Sequence, residues 1–328
     1  MFEARLRGLR FPSEEEIEQG NRFRTYLNYI CSISAHLKHL TPKSFLKTIT
    51  SSDEFGRIKR HNSDILEIEK LLRNAWLTEV KLHIDGEDNE FTTYSNHWAP
   101  VQLYYSAYLS LRAYFTANAS QVPNEHTKNL KAINNDILNK SSLFPFPFHT
   151  MCLCGGARAD DSKFINMPQG VCINKISGLT KFDNVEFYDS FALCLKTTRD
   201  KQIEKLCEDW RHRNKKKRVP ALEKEKMVKN MGPTSLFNFL YRLRLRSNYE
   251  DADSFLFSQP TILESQDFNK SLRVICWYTQ FMLETLIARY IGEKTFVGIV
   301  QKFEKFEKYG FSKKTVGNRS KLIYESVS

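Results

Sequence analysis

The chain has 328 residues, 41% hydrophobic and 13% aromatic, which is enough apolar material for a packed core and excludes a disordered protein. It has 13 glycines and 10 prolines, too few for a loop-rich all-β fold. The net charge of +11 favours an anionic partner such as nucleic acid.

Membrane association and secretion are not expected. No apolar run approaches the roughly 18 residues of a membrane span. The first thirty residues carry charge throughout and lack the apolar region of a secretory signal. The seven cysteines show no disulfide framework. Together these features predict a cytoplasmic protein with reduced thiols.

The N-terminal third reads as helical. The pattern from Ser13 to Glu16 is a capping box, and apolar residues then recur at helical spacing, which predicts a helix over residues 14–40. A second helix is predicted over residues 64–79. In "VKLHIDGEDNEFTTY", residues 80–94, apolar residues alternate and Asp85-Gly86 suits a turn, so we expect a small hairpin.

A tyrosine-rich helix follows Pro100, a residue that suits a first helical turn. A shorter helix is predicted over residues 124–139. Residues 140–200 contain prolines, a Gly pair and short apolar runs, and they indicate an irregular α+β insert with strands near residues 171–179 and 184–195.

The excess positive charge is concentrated in two stretches. Residues 201–230 hold eleven Lys or Arg against five Asp or Glu, and residues 297–328 hold seven against three. Two long helices are predicted between these stretches. One begins near residues 233–235, and the other begins at a second capping box, Thr261 to Glu264, and ends at Gly292. The basic surface is therefore expected to be localised.

The densest polar cluster is "YRLRLRSNYEDADSFLF", residues 241–257. Steps of two residues rotate by about 200° on a helix, so Arg242 and Arg246 should share one side and Arg244 should lie opposite. One interpretation is an exposed face whose arginines pair with nearby acids. The other is a groove in which Arg246, Asn248 and Tyr249 receive a backbone phosphate.

The pairing of "LYYSAYLSLRAYFTA" with "FLYRLRLRSNYEDADSF" resembles the HEPN superfamily, and the general plan is similar to its YaaC-like branch. His126, shortly after the tyrosine-rich helix, is in keeping with this. The resemblance implies a bundle of four to five helices, a setting in prokaryotic defence or toxin–antitoxin biology, and a homodimer. It also implies R-x(4–6)-H as the ribonuclease motif.

The chain departs from that motif. Tyr249 follows Arg244 by five residues and Asp251 follows Arg246 by five, so no histidine stands at the expected place. Tyrosine titrates near pH 10 and aspartate near pH 4, and neither replaces histidine well at neutral pH. The departure favours phosphate or RNA binding over cleavage.

A second basic motif is "WRHRNKKKRVP", residues 210–220, in which Trp210 could stack a base. Its alternative interpretations are a solvated linker and a surface for an acidic partner protein. The candidate nucleic-acid-binding residues are Arg211, Arg213, Lys215, Lys216, Lys217, Arg218, Arg242, Arg244, Arg246 and Asn248.

Metal binding is not expected. Cys152, Cys154 and Cys172, with His149 nearby, lack the spacing of a zinc site, and buried free thiols are the better interpretation. We expect no cofactor either.

The sequence thus predicts a mainly α protein, a HEPN-like helical bundle interrupted by a small α+β insert. Its predicted parts are residues 1–139, the insert 140–232, the closing helices 233–292 and a basic C-terminal tail 293–328. The expected partner is nucleic acid, with RNA favoured, or a nucleic-acid-handling protein. Two alternatives stay open: a divergent metal-independent endoribonuclease using Arg246, Tyr249 and His126, and a non-catalytic protein scaffold.

Overall fold

The computed structural model describes residues 14–120, 124–154, 162–167, 187–250, 252–256, 260–308 and 310–327. The predicted fold class is confirmed: the protein is mainly α, with one small sheet in its described part. The helices of the first half are α1 (Glu14–His39), α2 (Pro42–Thr50), α3 (Asp53–Arg57), α4 (Ile65–Asp85), α5 (Asn89–Ser95), α6 (Ala99–Ala117) and α7 (His126–Asn139).

The second half begins with a short 3-10 turn (Ser141–Leu143) and two strands, β1 (Met151–Cys154) and β2 (Ser162–Ile165). The later elements are α8 (Phe187–Asn214), α9 (Ala221–Asn230), β3 (Thr234–Ser235), α10 (Leu236–Leu245), a π-helical turn (Arg246–Glu250), α11 (Ala252–Leu256), α12 (Ile262–Ile291), α13 (Glu293–Phe306), α14 (Phe311–Lys314) and α15 (Val316–Val327).

Helix α6 lies at the centre of the bundle. It packs along α4, α12 and α10 and is buried except for one partly exposed strip, formed by Tyr105, Leu109, Arg112 and Thr116. Helix α12 packs against both α6 and α1. Buried polar residues of α6 pair inside the core, where Gln280 of α12 donates to Ser106 and accepts from Ser110.

The sheet is antiparallel in the order β2-β1-β3. Strand β1 pairs with the next strand along the chain and with β3, which immediately precedes α10. Arg199 of α8 is 2% exposed and donates to the carbonyl oxygens of Cys152 and Gly232. The guanidinium therefore joins the sheet to α8.

Two strand predictions are wrong. Helix α4 continues through Val80, Leu82 and Ile84 to Asp85, so the expected hairpin is helix, and the turn chemistry at Gly86 ends it. The predicted strand near residues 184–195 is the start of α8 from Phe187 onward. The predicted strand at residues 171–179 and the capping residue Ser13 lie outside the described residues.

The second capping box is confirmed. Thr261 Oγ1 accepts from the Glu264 N–H, and Glu264 Oε2 accepts from the Thr261 N–H at 2.8 Å. Arg24 of α1 donates to the other carboxylate oxygen of Glu264 at 2.8 Å. The start of α12 is thereby fixed to α1 as well as capped.

The segment predicted as a basic tail forms α13, α14 and α15, which pack on the core. Arg319 of α15 is fully buried and makes bidentate contacts of 2.6–2.8 Å with both Glu79 of α4 and Glu284 of α12. Trp76 Nε1 donates to Glu284 at 2.7 Å. Burial raises the pKa of Glu284, which the neighbouring guanidinium opposes.

Candidate functional site

His126, the first residue of α7, lies against the tyrosine-rich side of α6. Tyr104, Tyr105 and Tyr108 have ring centroids 5.5, 5.8 and 4.3 Å from the imidazole. Their spacing of one, three and four residues puts them on one broad helix face. Tyr241 of α10 stacks on the imidazole at 5.9 Å and 26°, and its ring also lies 5.4 Å from that of Tyr104. The imidazole is half-buried in this tyrosine cluster.

The hydroxyl of Tyr104 lies 2.9 Å from His126 Nδ1. Burial lowers the pKa of His126, and the positive charge of Arg244 lowers it further. Burial also raises the pKa of Tyr104 well above its usual value. At neutral pH the site therefore holds a neutral imidazole beside a protonated phenol.

Arg244 of α10 is 8% exposed and lies among four tyrosine rings. Its guanidinium carbon is 5.0–5.8 Å from the ring centroids of Tyr104, Tyr105, Tyr241 and Tyr249. Its Nη2 donates to the Tyr105 hydroxyl at 3.0 Å, and its buried Nε has no hydrogen-bond partner in the described part of the chain.

No described carboxylate lies within ion-pair distance of Arg244. Cation–π contacts compensate part of the cost of burying this charge. They do not use the in-plane N–H donors, which are the groups that bind an anion. Arg244 is thus a buried cation with free donor capacity, next to a neutral histidine.

The π-helical turn after α10 explains why Tyr249 reaches Arg244. On an α-helix, residues five apart would be rotated by roughly 140°. The π-helical turn begins two residues after Arg244 and is wider than an α-helical turn, and with it the Tyr249 ring lies 5.7 Å from the Arg244 guanidinium. Tyr249 remains 65% exposed, so its ring forms the solvent-facing edge of the cluster. Asn248 lies half-buried in the same turn.

The other two arginines lie on the opposite side of α10, as the helical geometry predicts. Arg242 donates to the hydroxyls of Thr197 and Thr198 on α8 at 3.0 and 3.2 Å. Arg246 pairs with Glu250 at 3.0 Å. The expectation that Arg246 accompanies His126 is therefore corrected: the arginine beside the histidine is Arg244.

The basic run from Arg211 to Arg218 lies at the C-terminal end of α8 and just beyond it, and most of its side chains are exposed. Lys216 lies over the Trp210 ring at 6.0 Å. Lys216 also lines a shallow surface depression together with Glu208 and Asp209, so the depression carries both positive and negative charge. Along α8, Arg211 is roughly 20 Å from the threonines that bind Arg242.

The cysteine cluster gives no metal site among the described residues. His149 Nδ1 hydrogen-bonds the carbonyl oxygen of Phe144, and Cys152 is buried. Cys172 and the side chain of Cys154 lie outside the described part. No described helix is long and apolar enough to span a membrane.

Sequence reasoning named Arg244 among the nucleic-acid-binding candidates, but it missed that Arg244 lies beside His126 and that the tyrosines of α6 join them in one cluster. The available signal was the tyrosine triplet on one face of α6, followed by a histidine at the start of the next helix. Against known proteins, no family model matches the chain, and neither does any curated protein or any solved structure.

Proposed function

We propose that the protein binds RNA by a backbone phosphate at a site formed by Arg244, His126, Tyr105 and Tyr249, called here the phosphate site. The observation that carries the proposal is the buried guanidinium without a described carboxylate. A buried charge is costly unless it is paired and hydrogen-bonded. The planar fork of arginine matches a phosphate group, which would supply the missing anion.

Two further features support a nucleic acid as the source of that phosphate. The exposed ring of Tyr249 borders Arg244, and an aromatic ring at that place can stack an unpaired base. The exposed basic run, Arg211–Arg218, adds a second phosphate-binding surface whose contribution depends on salt. RNA is favoured over DNA because of the HEPN resemblance.

The same resemblance supports the wider setting of the proposal. The protein would act in the cytoplasm as an effector or accessory factor in prokaryotic defence or a toxin–antitoxin system, and as a homodimer. Its helical bundle and the tyrosine-rich α6 beside the arginine-rich α10 are the features that support this assignment.

The test is a retardation assay with labelled single-stranded RNA and DNA at two salt concentrations. Arg244→Gln should weaken RNA binding about 10- to 100-fold, the range for losing a charge-assisted hydrogen bond. Arg242→Gln is the matched control, because it removes the same charge two residues away on the opposite side of α10. Equal losses of affinity in the two variants would exclude the phosphate site, because they would show that binding depends on overall positive charge and not on the position of Arg244.

A metal-independent endoribonuclease is the second candidate, favoured by the juxtaposition of His126 with Arg244. The same RNA is incubated with wild-type protein and a chelator and examined for cleavage. Cleavage that is lost in both His126→Ala and Arg244→Gln would establish this candidate. If neither retardation nor cleavage occurs at micromolar protein, a protein-binding scaffold becomes the better proposal.

A further inference from the structure

The hydroxyl of Tyr104 and Nδ1 of His126 share a hydrogen bond of 2.9 Å, and its direction depends on which nitrogen of the imidazole carries the proton. Tyr104 is 3% exposed, and a buried hydroxyl that does not donate is costly. Within the described chain, His126 Nδ1, at 2.9 Å, is the acceptor that the Tyr104 hydroxyl contacts. A proton on Nδ1 would leave the phenol hydrogen without that acceptor.

We propose that Tyr104 is a positioning residue that holds His126 as the neutral tautomer protonated on Nε2, so that His126 meets the phosphate as a hydrogen-bond donor and not as a general base. This inference rests on the proposed function. It assigns a role to a tyrosine that would otherwise count as core, and it deepens the phosphate site into a pair of fixed donors, Nε2–H of His126 and the guanidinium of Arg244.

The groups facing His126 agree with a neutral ring. Arg244 of α10 lies close enough for its positive charge to lower the pKa of the imidazole, which disfavours the imidazolium. Just before α7, the exposed carboxylate of Glu125 is paired with Lys128 at 2.7 Å. The other described rings around the imidazole belong to Tyr104, Tyr105, Tyr108 and Tyr241, and burial raises the pKa of Tyr104 and of Tyr108.

The tautomer decides what the site can do chemically. A general base needs a lone pair on the nitrogen that faces the substrate. With the Nδ1 lone pair engaged by Tyr104, the nitrogen left for a ligand is Nε2, and it carries a proton. Two donors held in fixed positions are complementary to an anion without any protonation step. The site therefore suits retention of an RNA phosphate over attack by its 2′-hydroxyl.

The first experiment reads the tautomer directly in the full-length protein without RNA. Nitrogen-15 NMR of the imidazole should show an unprotonated, hydrogen-bonded Nδ1 and a protonated Nε2 at pH 7.5. Tyr104→Phe should shift the ring toward a tautomer mixture. Tyr108→Phe is the matched control, since that ring is nearer to the imidazole at 4.3 Å and should leave the tautomer unchanged. A protonated Nδ1 in the wild type would overturn the proposal.

The second experiment measures affinity for single-stranded RNA from pH 6.5 to 8. Replacing His126 with glutamine should leave the pH dependence of the affinity across this range unchanged, since His126 donates while neutral. Tyr104→Phe should weaken binding about threefold to tenfold, and Tyr108→Phe less than twofold. Affinity that rises steeply toward pH 6.5 and loses that rise in His126→Gln would show an imidazolium and refute the assigned role. If the wild type binds no RNA, the proposed function fails, while the NMR result still decides the tautomer.

Discussion

Replacing Arg319 with methionine should destabilise the protein severely. Arg319, Glu79 and Glu284 are each fully buried, and the guanidinium makes four contacts of 2.6–2.8 Å with the two carboxylates. The substitution leaves two carboxylates in the core without a cation. Removing one partner of such a buried pair costs about 3–5 kcal/mol. For a chain of this length, that loss lowers Tm by about 4–7 °C.

The assay is chemical denaturation followed by circular dichroism, with Lys321→Met as the control. Lys321 lies two residues further along α15 and is exposed, so its replacement removes the same charge and should cost less than about 0.5 kcal/mol. In Arg319→Met the unpaired carboxyls have raised pKa values, and the native state binds more protons than the unfolded state. The difference in unfolding free energy between wild type and Arg319→Met should therefore shrink as the pH falls from 8 to 5. A difference in unfolding free energy below about 1 kcal/mol, or a difference that does not change with pH, would refute the reasoning that the buried ion network stabilises the fold.

Burial, with the positive charges of Arg273 and Arg319 nearby, lowers the pKa of His83 to about 4. The unfolded state therefore binds a proton at a higher pH than the native state, so the free energy of unfolding should be full above pH 6.5 and fall by up to about 3 kcal/mol as the pH drops to 4. His83→Gln should flatten the dependence of this free energy on pH between about 6.5 and 4. Thr261→Ala should cost about 1 kcal/mol by denaturation, whereas Thr261→Ser, which can still accept from the Glu264 N–H, should cost much less. Changing Lys216–Lys217 to glutamine should reduce the slope of log affinity for single-stranded RNA against log salt by about 1 to 2, and the same change at Lys313–Lys314 should leave it unaltered.

Helical periodicity predicted most of the long helices because their buried faces repeat at the helical period. It failed where a short alternation was taken for a strand. Val80 and Leu82 are both buried although they alternate with polar residues, because α4 packs against more than one neighbour. At the start of α8, Phe187, Phe191 and Leu195 recur every fourth residue, which is helical spacing that the prediction overlooked.

The candidate site was predictable only in part. Helix geometry correctly separated Arg244 from Arg242 and Arg246. It could not say which side of α10 faces His126, because that depends on packing between segments more than a hundred residues apart in sequence. The π-helical turn that brings Tyr249 onto Arg244 also has no simple local signal. The roles of Tyr104 and Arg244 therefore needed the tertiary structure.

The burial of Arg319 has a consequence for the order of events during synthesis. Glu79 and Glu284 emerge from the ribosome before Arg319, so for that interval the helices that carry them hold carboxylates with no cation to neutralise them. Packing α4 fully against α12 at that stage would bury both negative charges unpaired. The centre of the bundle is therefore expected to reach its final packing only after α15 has been made and has docked, although α6 itself is complete long before.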